Sequence, residues 1–90
     1  MNKLKFYKEG TRYYHFYHTV DDQFLIGRDE FTKGIMGKWR IYKRKEPIAT
    51  VKEYETITDR YFSHYVDAMA WICEYYYPGW KLQKKLVKLK

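Results

Sequence analysis

Residues 11–20 (TRYYHFYHTV) set Tyr13, His15 and Tyr17 on one side of an extended chain and Tyr14, Phe16 and His18 on the other. Successive side chains of a strand point to opposite faces, so this run predicts a strand that is aromatic on both. Asp21-Asp22 reads as a turn, because Asp side chains bond their own backbone. Residues 23–28 (QFLIGR) follow as a second strand at hairpin spacing. From Trp39 the alternation is cleaner. Trp39 and Ile41 share one face, and Arg40, Tyr42 and Arg44 share the other. Glu46-Pro47 ends that strand, since proline lacks a ladder donor. Residues 48–56 (IATVKEYET) return beside it with Ala49 and Val51 inward. The four segments predict an antiparallel meander.

The period then changes. Tyr65, Met69, Ile72 and Tyr76 recur at spacings of four, three and four, which is a helical stripe. Ala68 widens the stripe and Trp71 flanks it. Ser63 is placed to cap the helix, and Asp67 suits the positive end of its dipole. Pro78-Gly79 stops it at about Tyr77, because proline cannot continue a helix and glycine accepts the reversal. Trp80 is then free to fold back on the core. The predicted fold is α+β: a three- or four-stranded antiparallel sheet with one C-terminal helix, about 63–77, packed on one face. Trp39, Ile41 and Val51 should meet Met69, Ile72 and Tyr76.

Residues 1–80 are expected to form one domain and 81–90 (KLQKKLVKLK) a basic tail. Leu82, Leu86 and Leu89 fit a helical stripe, and an extended edge strand or a frayed end fits equally; ten residues are too few for an isolated helix, which needs about 12–15. Its alternatives are docking, ordering on a partner and mobility; its place beyond the Pro78-Gly79 stop favours a mobile arm.

Ninety residues hold one core, and a hydrophobic content of 46% excludes global disorder. Eleven tyrosines fit half-buried sheet positions or a contact surface. Charge changes the picture more. Residues 37–45 (GKWRIYKRK) and 81–90 carry ten of the 18 basic residues and no acid, so more than the whole net charge of +7 lies in two stretches. Such a field calls for an anionic partner.

Candidate catalytic groups are sparse. His15, His18, His64 and Cys73 do not match zinc spacing, and His15 and His18 should point to opposite faces. Cys73 falls near the C-terminal end of the helix, where the dipole disfavours a thiolate, so it reads as a packing residue. Asp21-Asp22 and Asp29-Glu30 stand in no nuclease motif. Gly34 and Gly37 lack the Lys-hydroxyl pair of a phosphate loop. These absences predict a non-enzyme with neither metal nor cofactor. A single cysteine requires no oxidising compartment, residues 1–6 lack the apolar core of a signal peptide, and no run reaches about 20 apolar residues. The expected setting is cytoplasmic.

In the first basic stretch, Arg40, Tyr42 and Arg44 form an outward row. Arg forks pair with phosphate and Tyr stacks on a base or sugar. Lys38, Lys43 and Lys45 flank the row. In the second stretch, Lys81, Lys84, Lys85 and Lys88 meet phosphates without specificity. The tail has few apolar residues and no aromatic anchor, so a membrane is a disfavoured partner. The return strand carries Glu53 and Glu55, which offset the row if they share its face.

The chain reads Gly37-Lys38-Trp39-Arg40, later Phe62-Ser63, then Asp67-Ala68-Met69-Ala70-Trp71-Ile72. That order, over residues 37–72, resembles the small sheet-plus-helix DNA-binding modules of AP2-like and integrase arm-binding domains, and short phage-encoded proteins. In those DNA-binding families the sheet enters the major groove. The resemblance therefore implies Arg40, Tyr42 and Arg44 as groove or phosphate contacts.

The functional expectation is a small non-enzymatic binding protein of phage or mobile-element type, which contacts nucleic acid or a nucleoprotein through its basic aromatic strand. The alternative is an anti-CRISPR-like or other counter-defence inhibitor docked on a host protein complex. An exposed edge at residues 11–20 would offer a dimer surface.

Overall fold

A computed structural model of the chain describes residues 2–10, 15–28, 38–45 and 54–88. Short strand β1 (Lys3–Leu4) leads into β2 (Phe6–Gly10), β3 (His15–Thr19), β4 (Phe24–Arg28), β5 (Trp39–Arg44) and β6 (Tyr54–Thr56). Helix α1 (Tyr65–Tyr76) and a final short strand, β7 (Lys81–Leu82), complete the order. Strands β2 to β6 form a five-stranded antiparallel sheet in sequence order. The predicted α+β architecture is therefore correct, and its meander is the β3–β6 part of this sheet. Ala49, Val51, Asp29, Glu30, Gly34, Gly37 and Glu53 lie outside the described residues.

Three strands go beyond the prediction. Strand β2 pairs with β3, Phe6 opposite Thr19 and Gly10 opposite His15. Strand β3 also pairs with β4, so it is an interior strand and not the exposed edge expected to offer a dimer surface. Strand β1 pairs in parallel with β7 as a separate two-stranded ribbon.

Register explains the core. Tyr17, Ile26 and Ile41 fall on one rung, and Phe6, Thr19 and Phe24 on another. Their side chains, with Trp39, meet Ala68, Met69 and Ile72 of the helix, and Phe6, Ile26, Ile41, Met69 and Ile72 are fully buried. Each such apolar side chain stabilises the fold by roughly 1.5–3 kcal/mol relative to exposure. Aromatic rings join sheet to helix at one end. Tyr17 stacks on Tyr65 at 4.1 Å, and Trp39 meets both edge-on at 5.3 and 5.8 Å. Trp39 and Phe62 exchange backbone hydrogen bonds of 2.7 and 2.9 Å, which fixes where the chain enters the helix.

The helix differs from expectation in its start and in one residue of its inward stripe. It starts at Tyr65 with His64 in the cap position, and no side chain caps it. Ser63 cannot serve, because it lies one residue too early and its hydroxyl accepts from Lys38 Nζ at 2.7 Å. At the other end the inward position passes to Cys73, while Tyr76 is 40% exposed with its ring against Phe24 at 4.8 Å. The stop is as predicted. Tyr77 N–H closes the last turn on the Cys73 carbonyl, and Gly79 adopts φ +85°, a left-handed conformation that favours glycine.

The tail also differs. Lys81 N–H donates to the Asn2 carbonyl, Gln83 N–H to Leu4 and Val87 N–H to Phe6, each at 2.9 Å. Leu82 and Leu86 pack against the core. Residues 81–88 are thus a docked segment, not a mobile arm. Three backbone bonds and two leucines hold it, although it is too short for an isolated helix.

Candidate functional site

Strand alternation places Lys38, Arg40, Tyr42 and Arg44 on the sheet face away from the helix, and Trp39, Ile41 and Lys43 on the helix side. The predicted row is real but only half-exposed. Arg40 Nη1 donates to the Tyr61 hydroxyl at 2.9 Å, its guanidinium lies 5.1 Å from the Tyr61 ring centre, and Asp59 lies 3.9 Å away. Arg40 is therefore held by neighbours in its own chain. Tyr42 faces Leu25 across one ladder and Thr56 across the other, and Arg44 faces Tyr54. Glu55 opposes Lys43 and so points away from the row. Lys38 is exposed and spends its ammonium on Ser63, and Lys45 is exposed beyond the strand.

The rest of that face is aromatic and acidic. Tyr7 stacks on His18 at 5.1 Å, His18 Nε2 lies 3.0 Å from Glu9, and the Tyr7 hydroxyl donates to Asp22. Burial, followed by the Asp22 hydrogen bond, pushes the Tyr7 phenol well above the ordinary tyrosine range. His15 faces the other way, toward Tyr17 and Trp39, so the two histidines are on opposite faces as their spacing requires. Burial lowers the His15 pKa, and nearby Lys8 and Arg28 lower it further.

A second group of exposed cations gathers elsewhere. In the β1–β7 ribbon Lys3 is the direct partner of Lys81, and Leu4 of Leu82. Partners in a parallel ladder project to the same side, so the leucines turn to the core and the two lysines stand together in water. Both lysines are exposed, as are Lys5, Lys84, Lys85 and Lys88. Residues 2–5 and 81–88 contain these six lysines and no acid. The structure thus brings Lys81, Lys84, Lys85 and Lys88 onto the same docked segment and adds Lys3 and Lys5, which sequence reasoning missed. Their signal was present: Leu4 and Phe6 alternate with Lys3 and Lys5 at the period of a strand.

Beside the ribbon runs a groove of about 250 Å³ lined by Lys3, Leu4, Lys5, Val20, Asp21 and Trp80. Trp80 does not return to the core. It is 39% exposed and leans on Tyr77, ring centres 5.1 Å apart. Val20, on the opposite segment, is 47% exposed. The Asp21 carboxylate is locally committed: Oδ1 accepts from the Thr19 hydroxyl at 2.7 Å and from Gln23 N–H at 3.1 Å, and Oδ2 accepts from Tyr77 at 2.6 Å. Its role is that of a turn acid. Cys73 is buried, its thiol donates to the Trp80 carbonyl at 3.4 Å, and burial pushes its pKa up, away from the nucleophilic thiolate.

Among the described residues, no helix is long and apolar enough to cross a membrane. The chain matches no protein-family model, no curated protein and no solved structure, so its surface must be read from its own geometry.

Proposed function

We propose that this chain is a non-enzymatic protein that binds nucleic acid, free or within a nucleoprotein, by gripping phosphates with its docked lysine ribbon. The observation that carries the reading is the register of Lys3 against Lys81. Like charges directly opposed across a ladder destabilise it by roughly 0.2–1 kcal/mol. A phosphate between the two ammonium groups turns that repulsion into two charge-assisted hydrogen bonds. Lys5, Lys84, Lys85 and Lys88 extend the positive field along segments that carry no acid. The basic strand takes a secondary part. Arg40 is spent on Tyr61 and Asp59 and Lys38 on Ser63, and Lys43 faces the helix side, so Tyr42, Arg44 and Lys45 supply the further binding groups.

The test is fluorescence anisotropy with labelled DNA and RNA oligonucleotides across a salt series. Each phosphate neutralised releases counterions, so log affinity should fall linearly with log salt. The Lys3→Gln/Lys81→Gln double variant should reduce that slope by about 2, one for each ammonium group removed. Absence of binding to both polymers at low salt would overturn the reading. Capture of one host protein that survives nuclease treatment would favour the inhibitor alternative.

A further inference from the structure

We infer that the groove beside the ribbon holds an unstacked nucleobase against Trp80, so that the ribbon selects single-stranded over duplex nucleic acid. This rests on the phosphate-binding reading and adds to it a substrate class.

The argument starts from what Trp80 does not do. A tryptophan that folds back on a core hides its ring, yet this ring remains 39% exposed and leans on Tyr77. Its open side belongs to a groove with Leu4 and Val20 as apolar neighbours and Lys3 and Lys5 as cations. Leu4 is 3% exposed and makes a closed floor. The groove's volume, about 250 Å³, equals roughly eight waters at about 30 Å³ each, which leaves room for one heterocyclic base.

The charges give the groove a direction. Lysines stand on the β1 side and Asp21 on the β3–β4 turn. Asp21, whose oxygens already accept three hydrogen bonds, is the acid of the groove and turns phosphates away from its wall. A strand laid along the groove therefore sets its backbone on the lysines and its base toward Trp80 and Val20. Duplexes conceal base faces and present only edges, so an exposed indole face serves a base that has left its stack. Stacking of this kind tolerates any base, because every base has a π-face.

The experiment compares four probes on the full chain: single-stranded dT20, rU20, a duplex of the same length, and inorganic polyphosphate, which has the charge but no base. Phosphatidylserine vesicles test the competing aromatic-and-basic surface ligand. The expected result is tighter binding of dT20 or rU20 than of duplex or polyphosphate, with quenching of tryptophan emission. Trp80→Ala should weaken single-strand binding roughly tenfold or more and leave polyphosphate unchanged. Trp80→Phe, which keeps a ring, should retain most of the affinity. Circular dichroism of both variants checks the fold. Equal affinity for single strand and duplex, or a Trp80→Ala protein that binds dT20 and rU20 normally, overturns the stacking inference and leaves phosphate binding standing. No binding of any oligonucleotide overturns both, and so does binding to vesicles alone.

Discussion

The Tyr77 hydroxyl donates to Asp21 Oδ2 at 2.6 Å, tying the end of the helix to the β3–β4 turn across 56 residues of sequence. Burial, then this bond, raises the phenol well above the usual tyrosine range. The pKa is about 10 in an unfolded chain. A folded-state value above the unfolded one means that stability is intact below about pH 10 and is lost as pH rises toward the folded value. Tyr77→Phe should cost about 1 kcal/mol at neutral pH, the low end for a hydrogen bond to an exposed carboxylate. It should also flatten the alkaline limb of the stability curve. Urea midpoints between pH 8 and 11 measure both effects.

Ile72 tests the packing of helix on sheet. It has no exposed surface, so Ile72→Ala should cost about 2–5 kcal/mol through reduced burial and the cavity left behind. Ile72→Asp should abolish cooperative unfolding, because an unpaired buried carboxylate is costlier than such a small domain can absorb. Thermal melts followed by circular dichroism decide the matter; a melt near that of the parent would refute this core.

Gly27 tests the opposite face. A Cβ there would lie 2.9 Å from Phe16 Cδ1 and 3.7 Å from Tyr42 Cε2. The ring of Phe16 crosses the glycine, so Gly27→Ala must displace it and should cost about 1–3 kcal/mol. In a Phe16→Ala background the same change should be cheaper by at least about 0.5 kcal/mol. A double-mutant cycle in urea reads this coupling directly.

Lys3 and Lys81 should oppose stability to function. Reversing one of two facing like charges relieves repulsion, so Lys3→Glu should stabilise the free protein by about 0.5 kcal/mol, or roughly 3 °C in thermal midpoint. The gain should shrink as salt screens the pair. The same variant should bind oligonucleotides more weakly. A scanning melt paired with an anisotropy titration gives both signs from one preparation.

The sequence was most readable where one face of an element is buried. The alternation at Trp39 and Ile41 and the spacing of Met69 and Ile72 each named side chains that the core hides. The same patterning put Arg40, Tyr42 and Arg44 on one face, but it could not say that Tyr61 and Asp59 would hold Arg40. That depends on approaches across 21 residues or fewer of intervening chain that carry no periodic signal. The ribbon was hidden for a different reason. Residues 2–5 and 81–88 are each too short to count as an element alone, and each becomes a strand or docked segment only beside the other. Tyr76 was misplaced because helical spacing assigns a face without saying where the sheet beneath it ends.

The ribbon also sets an order of events in synthesis. Lys3 must wait for Lys81, about eighty residues later, which at roughly 5–20 residues per second is about 4–16 s of translation. During that interval Leu4 lacks Leu82, and the carbonyls of Asn2, Leu4 and Phe6 lack their later donors. The nascent chain therefore carries an open apolar edge until residues 81–88 arrive. Assembly of the paired lysines coincides with closure of that edge, so a fully formed basic surface reports that the two segments have docked.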